Sequence, residues 1–183
     1  MAVRRIVLAD EPILREKTKK VKRLTDDVQR LIDDMVETMR AAPGLGLAAP
    51  QVGASQRVVV IEMSAKDEED TEGEADQPRK RLYVLINPEI TEMSEEVICA
   101  EEGCLSIPGY VGDVERAAEV TVRYLNRAGQ QIRLKGSNFL ARVIQHEVDH
   151  LDGILYPDRL TSLDALRPVK PGTEEAAELA AAA

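Results

Sequence analysis

"SNFLARVIQHEVDHLDG", from Ser137 to Gly153, decides how the rest of the chain reads. Ser137 suits an N-cap and Gly153 a stop, so the spacing predicts one helix between them. Turning by about 100° per residue, its side chains fall into three stripes. Leu140, Ile144, Val148 and Leu151 make an apolar stripe, and Phe139, Val143, His146 and His150 make a second. Asn138, Arg142, Gln145, Asp149 and Asp152 make a polar stripe, expected to be the wet side of a mostly buried helix. His146 and His150 are the only histidines in the chain, and four apart on a helix they present two metal ligands on one face. Glu147 sits among apolar neighbours beside both. A buried, unpaired carboxylate is costly, and a metal with its water removes that objection by giving Glu147 the work of a general base. Asp149 and Asp152 read as structural or surface groups rather than ligands.

A catalytic metal usually takes three protein ligands and keeps a position for water. After His150 there is no further histidine, and glutamates appear only in the Ala-rich tail at 174, 175 and 178. The best third ligand therefore lies upstream, at Cys104 in "EEGCLSIPG", where Gly103 permits close backbone approach. A thiolate there suits Fe²⁺, Zn²⁺, Ni²⁺ or Co²⁺. Cys99, five residues earlier, reads as a small core residue on the opposite strand face.

The totals narrow the class. A chain of 183 residues is expected to form a single domain with a real core. That core must be aliphatic, because there is no Trp, one Phe and four Tyr. A net charge of -9 argues against nucleic-acid binding through a broad basic surface. No apolar run reaches transmembrane length, and the N-terminus lacks a secretory pattern. The expected setting is a reducing cytoplasm, with both cysteines free or ligating metal.

"TDDVQRLIDDMVETMRAA" (25–42) predicts an amphipathic helix capped by Thr25, with Val28, Leu31, Ile32, Met35 and Met39 as its apolar stripe and Pro43–Gly44 as its stop. "QRVVVIEM", "RLYVLINPEI", "EVICAEEGCLSI", "AEVTVRYLN" and "GQQIRLKG" read as short strands. The second is expected to end near Asn87–Pro88, and the last two to form a hairpin with a four-residue loop, Asn126–Gly129. Together these predict an α+β fold with antiparallel or mixed sheets around a buried central helix that carries the His-Glu-x-x-His motif. Residues 66–80, with seven carboxylates, are expected to be a solvated, mobile loop; 171–183 is an Ala/Glu-rich tail. "GLGLAAPQVG" (44–53) loosely fits a dinucleotide fingerprint, but a helix precedes it and Pro50 breaks the chain where a second helix would have to begin, so a nucleotide site is rejected.

"GLGLAAPQ", "EGCLS" and "QHEVDHLDG", in this order, resemble the three motifs of the peptide deformylases. The resemblance implies Cys104, His146 and His150 as metal ligands and Glu147 as general base and acid. It implies Gln51 and the Leu105 backbone N–H as oxyanion donors, and Gly46 alongside the peptide. Leu45, Phe139 and Val143 become candidate walls for a methionine side chain. The implied reaction removes the formyl group from N-formyl-methionyl nascent chains, with water at the metal attacking the formyl carbon and formate leaving. One divalent ion is implied, Fe²⁺ natively, with Zn²⁺, Ni²⁺ or Co²⁺ as substitutes. A monomer is expected. A transient ribosome contact fits this setting, although the acidic tail is not suited to a charge-driven one. Two rival readings share the histidines. A zinc endopeptidase would have no use for Cys104 or Gln51, and a closed structural metal in a peptide-binding module would need Cys99 as its fourth ligand.

Overall fold

Val58–Ile61 reads Val-Val-Val-Ile, a run that suits a strand buried on both faces. A computed structural model of the chain describes residues 2–42, 44–64 and 80–169, apart from the Leu163 side chain. Strand β2 (Val58–Ser64) lies inside a five-stranded sheet, and all four of those residues are fully buried. Val59, Ile61 and Met63 face one core, and Val58 and Val60 face another. Helix α1 (Asp26–Ala41) covers the second with the expected stripe, Val28, Leu31, Ile32, Met35 and Met39. Thr25 caps it, its hydroxyl accepting from the Val28 N–H. Helix α2 (Asn138–Leu151) covers the first with Leu140, Ile144, Val148 and Leu151.

The large sheet has the order β1 (Gly46–Ala48), β2, β3 (Lys80–Met93), β6 (Glu119–Leu125), β7 (Gln131–Ser137). A second sheet is built from β4 (Val97–Gly103), β5 (Tyr110–Ala117) and β8 (Arg167–Pro168). Every ladder between these strands is antiparallel, and among the described residues one parallel bridge joins Lys19 to Gln56. The α+β class with a buried central helix is therefore the one found.

Several local expectations change. Strand β3 does not end at Pro88 but continues to Met93. Asn87 adopts a positive φ of 54°, and the ladder to β6 shifts register between Ile86 and Glu89, which accommodates a proline with no N–H to give. The Asn87 amide holds this bend by bonding the Val21 N–H and carbonyl at 2.8 and 2.9 Å. The β6–β7 loop is one residue longer than expected, because Leu125 pairs with Gln131. Ser137 precedes α2 but its hydroxyl makes no cap hydrogen bond, whereas Gly153 ends the helix with φ 76° as expected. Cys99 is exposed on β4 rather than in the core. Pro43, the acidic stretch 66–79 and the tail 171–183 lie outside the described residues.

The largest correction concerns the polar stripe of α2. Arg142, Gln145 and Asp149 are buried, because the small sheet covers them. The guanidinium of Arg142 donates to the carbonyls of Ile98, Ala100 and Val114, and Gln145 bonds both the N–H and the carbonyl of Ala117. Thus α2 is sandwiched by apolar contact on one side and by hydrogen bonds on the other. Asp152, at its end, pairs with Arg57 at 2.8 Å. Among the described residues no helix is long and apolar enough to cross a membrane.

Candidate metal centre

The helical spacing places the rings of His146 and His150 edge to face, with centroids 5.1 Å apart. Chain direction brings in the third group: β4 runs past α2 and leaves Cys104 directly after its last residue, Gly103. Ligand atoms of Cys104, His146 and His150 lie within 4.8 Å of one another. The Cys104 sulfur is 3.3 Å from His150 Nε2. Burial pushes the Cys104 thiol up, but the two imidazoles outweigh it and hold the thiol well below its ordinary range. A soft anion and two imidazoles form a donor set for a divalent transition metal. Cys99 is not part of this group, so the closed four-ligand reading loses its fourth donor.

Glu147 is buried on the same helix, and its Oε2 has no hydrogen-bond partner among the described residues. Burial pushes its carboxyl up to about 7, against the pull of both histidines. An orphaned buried oxygen next to three ligand atoms fits a metal with its water, and it is hard to account for otherwise. Gly46 makes room for it: an added Cβ would overlap Glu147 Oε1, with Cδ 2.8 Å and Cγ 2.9 Å away. We expect Gly46→Ala to push the carboxylate aside and slow catalysis about 10²-fold, since displacements on the order of 1 Å cost that much. Steady-state rates with metal content measured in parallel would check this; full activity would show that Glu147 tolerates the shift.

Gln51 is buried. Its Oε1 accepts from the Ala48 N–H at 2.8 Å, which fixes the amide so that Nε2 faces Ser106 Oγ and the Cys104 sulfur, at 3.2 and 3.6 Å. The Leu105 N–H makes no hydrogen bond to the described residues. A cleft of about 320 Å³ opens over these groups, and Leu45, Gly46, Leu105, Phe139 and Val143 also line it. Leu45 and Phe139 are apolar, 41% and 40% exposed, and brought to the same cleft, where they offer an apolar side chain something to pack on.

The sequence profile of the polypeptide deformylase family matches residues 3–165. The chain belongs to the polypeptide deformylase family. The peptide deformylase of Dehalococcoides mccartyi (strain CBDB1) is 48% identical over 179 residues, 98% of this chain and 99% of the relative. The Met-Ala-Ser-bound class I type b peptide deformylase from Acinetobacter baumannii superposes with a TM-score of 0.76 at 38% identity, over 87% of this chain and 100% of that one. The peptide deformylase from Ehrlichia chaffeensis in complex with actinonin gives 0.79 at 36% identity, over 90% and 92%.

Sequence reasoning about this family member missed the groups behind the histidines. Glu102 Oε2 receives His146 Nδ1 at 2.9 Å, so the ring is left with Nε2 facing the site. Arg116 grips both oxygens of Glu102, at 2.9 and 3.0 Å, and reaches Asp149 Oδ2 at 2.6 Å. Arg142 adds a bond to Glu102 Oε1 at 2.8 Å, and Arg159 closes the chain on Asp149. Burial pushes Glu102 up, but Arg116 and His146 pull it down to about 2. A charged second layer of this kind fixes the tautomer and orientation of a ligand imidazole. Glu102 lies inside the motif "EGCLS" and could have been questioned there; Arg116 had no local signal.

Proposed function

We infer the residue roles from this geometry together with family membership. The chain is a metal-dependent hydrolase that removes the formyl group from N-formyl-methionyl peptides, and residues 1–183 act as one catalytic domain. The observation that carries the assignment is the buried Glu147 oxygen, unpaired among the described residues, on the helix that carries His146 and His150 and at the floor of a cleft that Cys104 also lines. Cys104, His146 and His150 would hold one divalent ion, which when bound would supply an acidified water and an electrophile for the formyl oxygen.

Glu147 takes the proton of the attacking water and then delivers it to the departing amine. The Gln51 amide and the Leu105 N–H donate to the oxygen that becomes negative as the formyl carbon turns tetrahedral, each worth about 10²–10³-fold. Gln51 is pre-set for this, because its carbonyl end is already occupied by Ala48. Gly46 lies along the peptide. Leu45, Phe139 and Val143 receive the methionine side chain, which accounts for the exposed leucine and phenylalanine. The formyl carbon carries no methyl group, so a tight cleft admits it and excludes acetyl. Binding of Met-Ala-Ser to the Acinetobacter baumannii relative supports the peptide assignment.

Fe²⁺ as the native ion is what the resemblance to the peptide deformylases implies, and thiolate and imidazole donors suit Ni²⁺, Zn²⁺ or Co²⁺ as well. A monomer in the cytoplasm, acting on nascent chains with at most a transient ribosome contact, fits the acidic charge. Protein purified without oxygen should release formate from formyl-Met-Ala-Ser and leave acetyl-Met-Ala-Ser intact. A chelator should abolish the activity, and Fe²⁺ or Ni²⁺ should restore it. Cleavage of ordinary peptide bonds without formate would favour the endopeptidase reading instead.

A further inference from the structure

Among the described side chains that line the cleft, Glu101 is the one both charged and exposed; Glu102, Arg142 and Glu147 are buried. Glu101 sits on β4, three residues before Cys104, so it belongs to the wall and not to the metal centre. Its carboxylate is already engaged. Arg167 Nη2 bonds Glu101 Oε2 at 2.5 Å, and the same guanidinium holds Asp113 with two bonds of 2.8 and 3.0 Å. Arg167 is on β8, which pairs with Tyr110 and Val111 of β5. That segment comes after residue 165, where the family profile match ends. The clamp on the cleft wall therefore comes from outside the span that defines the family.

We propose that Arg167 is a specificity-determining residue for the amino acids after formyl-methionine: by holding Glu101 it sets the charge that the cleft wall presents to them. The proposal rests on the deformylase reading of the cleft. Two carboxylates and one guanidinium leave this cluster with one negative charge. Arg167→Gln leaves two, both free. Glu101→Gln leaves none, because Arg167 keeps its pair of bonds to Asp113, whose carboxyl Arg167 already holds below its ordinary range. Arg167→Gln, the unaltered chain and Glu101→Gln thus form a ladder of decreasing attraction for a cationic residue in the cleft. All three groups are solvent-exposed, so each step is modest, about two- to fivefold in the discrimination between charged peptides. It should act on KM more than kcat and shrink as salt is added.

The test compares kcat/KM for formyl-Met peptides bearing lysine or glutamate at either of the next two positions, at low and high salt. The Lys-to-Glu ratio is expected to rise in Arg167→Gln and fall in Glu101→Gln, with both changes fading in high salt. A ratio that stays put in both variants, or moves the same way in both, overturns the proposal, because loosened β8 packing would slow all peptides alike. Should Arg167→Gln fail to fold, Glu101→Gln decides alone: a lower ratio supports the assignment and an unchanged one overturns it. Formate release from formyl-Met-Ala-Ser by the unaltered chain tests the underlying deformylase reading separately.

Discussion

Glu147→Gln should retain its metal and lose about 10³-fold in formate release. General acid–base catalysis contributes about 10²–10⁴-fold, and here one carboxylate serves both the attack and the departure of the amine. The amide keeps the shape of the side chain but can neither take nor return the proton. The same substitution should stabilise the protein once metal is stripped. The sign is set by the burial of the group, which raises the folded carboxyl to about 7 from an ordinary 4.5. Between those values the folded chain holds a proton that the unfolded chain has released, so stability falls as pH rises through the window. At pH 7 that shift of some 2.5 units amounts to about 3 kcal/mol. Glutamine has no charge to bury, so stripped Glu147→Gln should melt higher than the stripped parent at pH 7 and show less difference near pH 4. Thermal melts at the two pH values, beside formate assays of the loaded proteins, measure both halves. If the melting gap does not depend on pH, the Glu147 carboxyl is not strained by its burial.

Glu102→Ala should be the most destabilising single change near the site. It removes the acceptor shared by Arg116, Arg142 and His146, leaving two guanidinium groups buried and short of partners. Breaking a buried ion pair from one side costs about 3–5 kcal/mol, and here one carboxylate serves two cations. The His146 ring also loses the bond that orients it, so metal affinity should drop about 10–100-fold. Denaturant titration gives the first number and chelator competition the second. The carboxyl titrates near 2 when folded, well below its unfolded value of 4.5. Its contribution is therefore complete above pH 4.5 and is lost as pH falls from there towards 2. Wild-type denaturation midpoints in Glu102→Ala would show that the network is not what seats α2.

Much of this was legible in the sequence where the signal was local. The stripe of α1, its Thr25 cap and the His146–His150 spacing are periodic features, and each needs only neighbours along the chain. Cys104 could be reached by elimination because few soft donors exist. What failed required knowing a distant partner. The polar stripe of α2 looked like a wet surface because Arg142, Gln145 and Asp149 are polar, yet each has a partner 28 or more residues upstream in β4 or β5. Strand β5 carries Asp113, Glu115 and Arg116 among its valines, which weakens its alternation, and β1 is only three residues long and lies in a glycine-rich stretch with no strand pattern. Cys99 was misplaced for a simpler reason: the face of an edge strand is set by what packs on it, and β4 turns its first residues outward.

Arg142 has a consequence beyond holding Glu102. Strand β4 is the outer strand of its sheet, and an outer strand is where chains add to one another and precipitate. Exposed Val97 and Ile98 make this margin apolar. The Ile98 and Ala100 carbonyls of β4 and the Val114 carbonyl of β5 all accept from the Arg142 guanidinium. A side chain of the central helix thus ties both strands of the hairpin down to α2, and the outer strand cannot peel away to pair elsewhere without leaving a buried guanidinium short of acceptors.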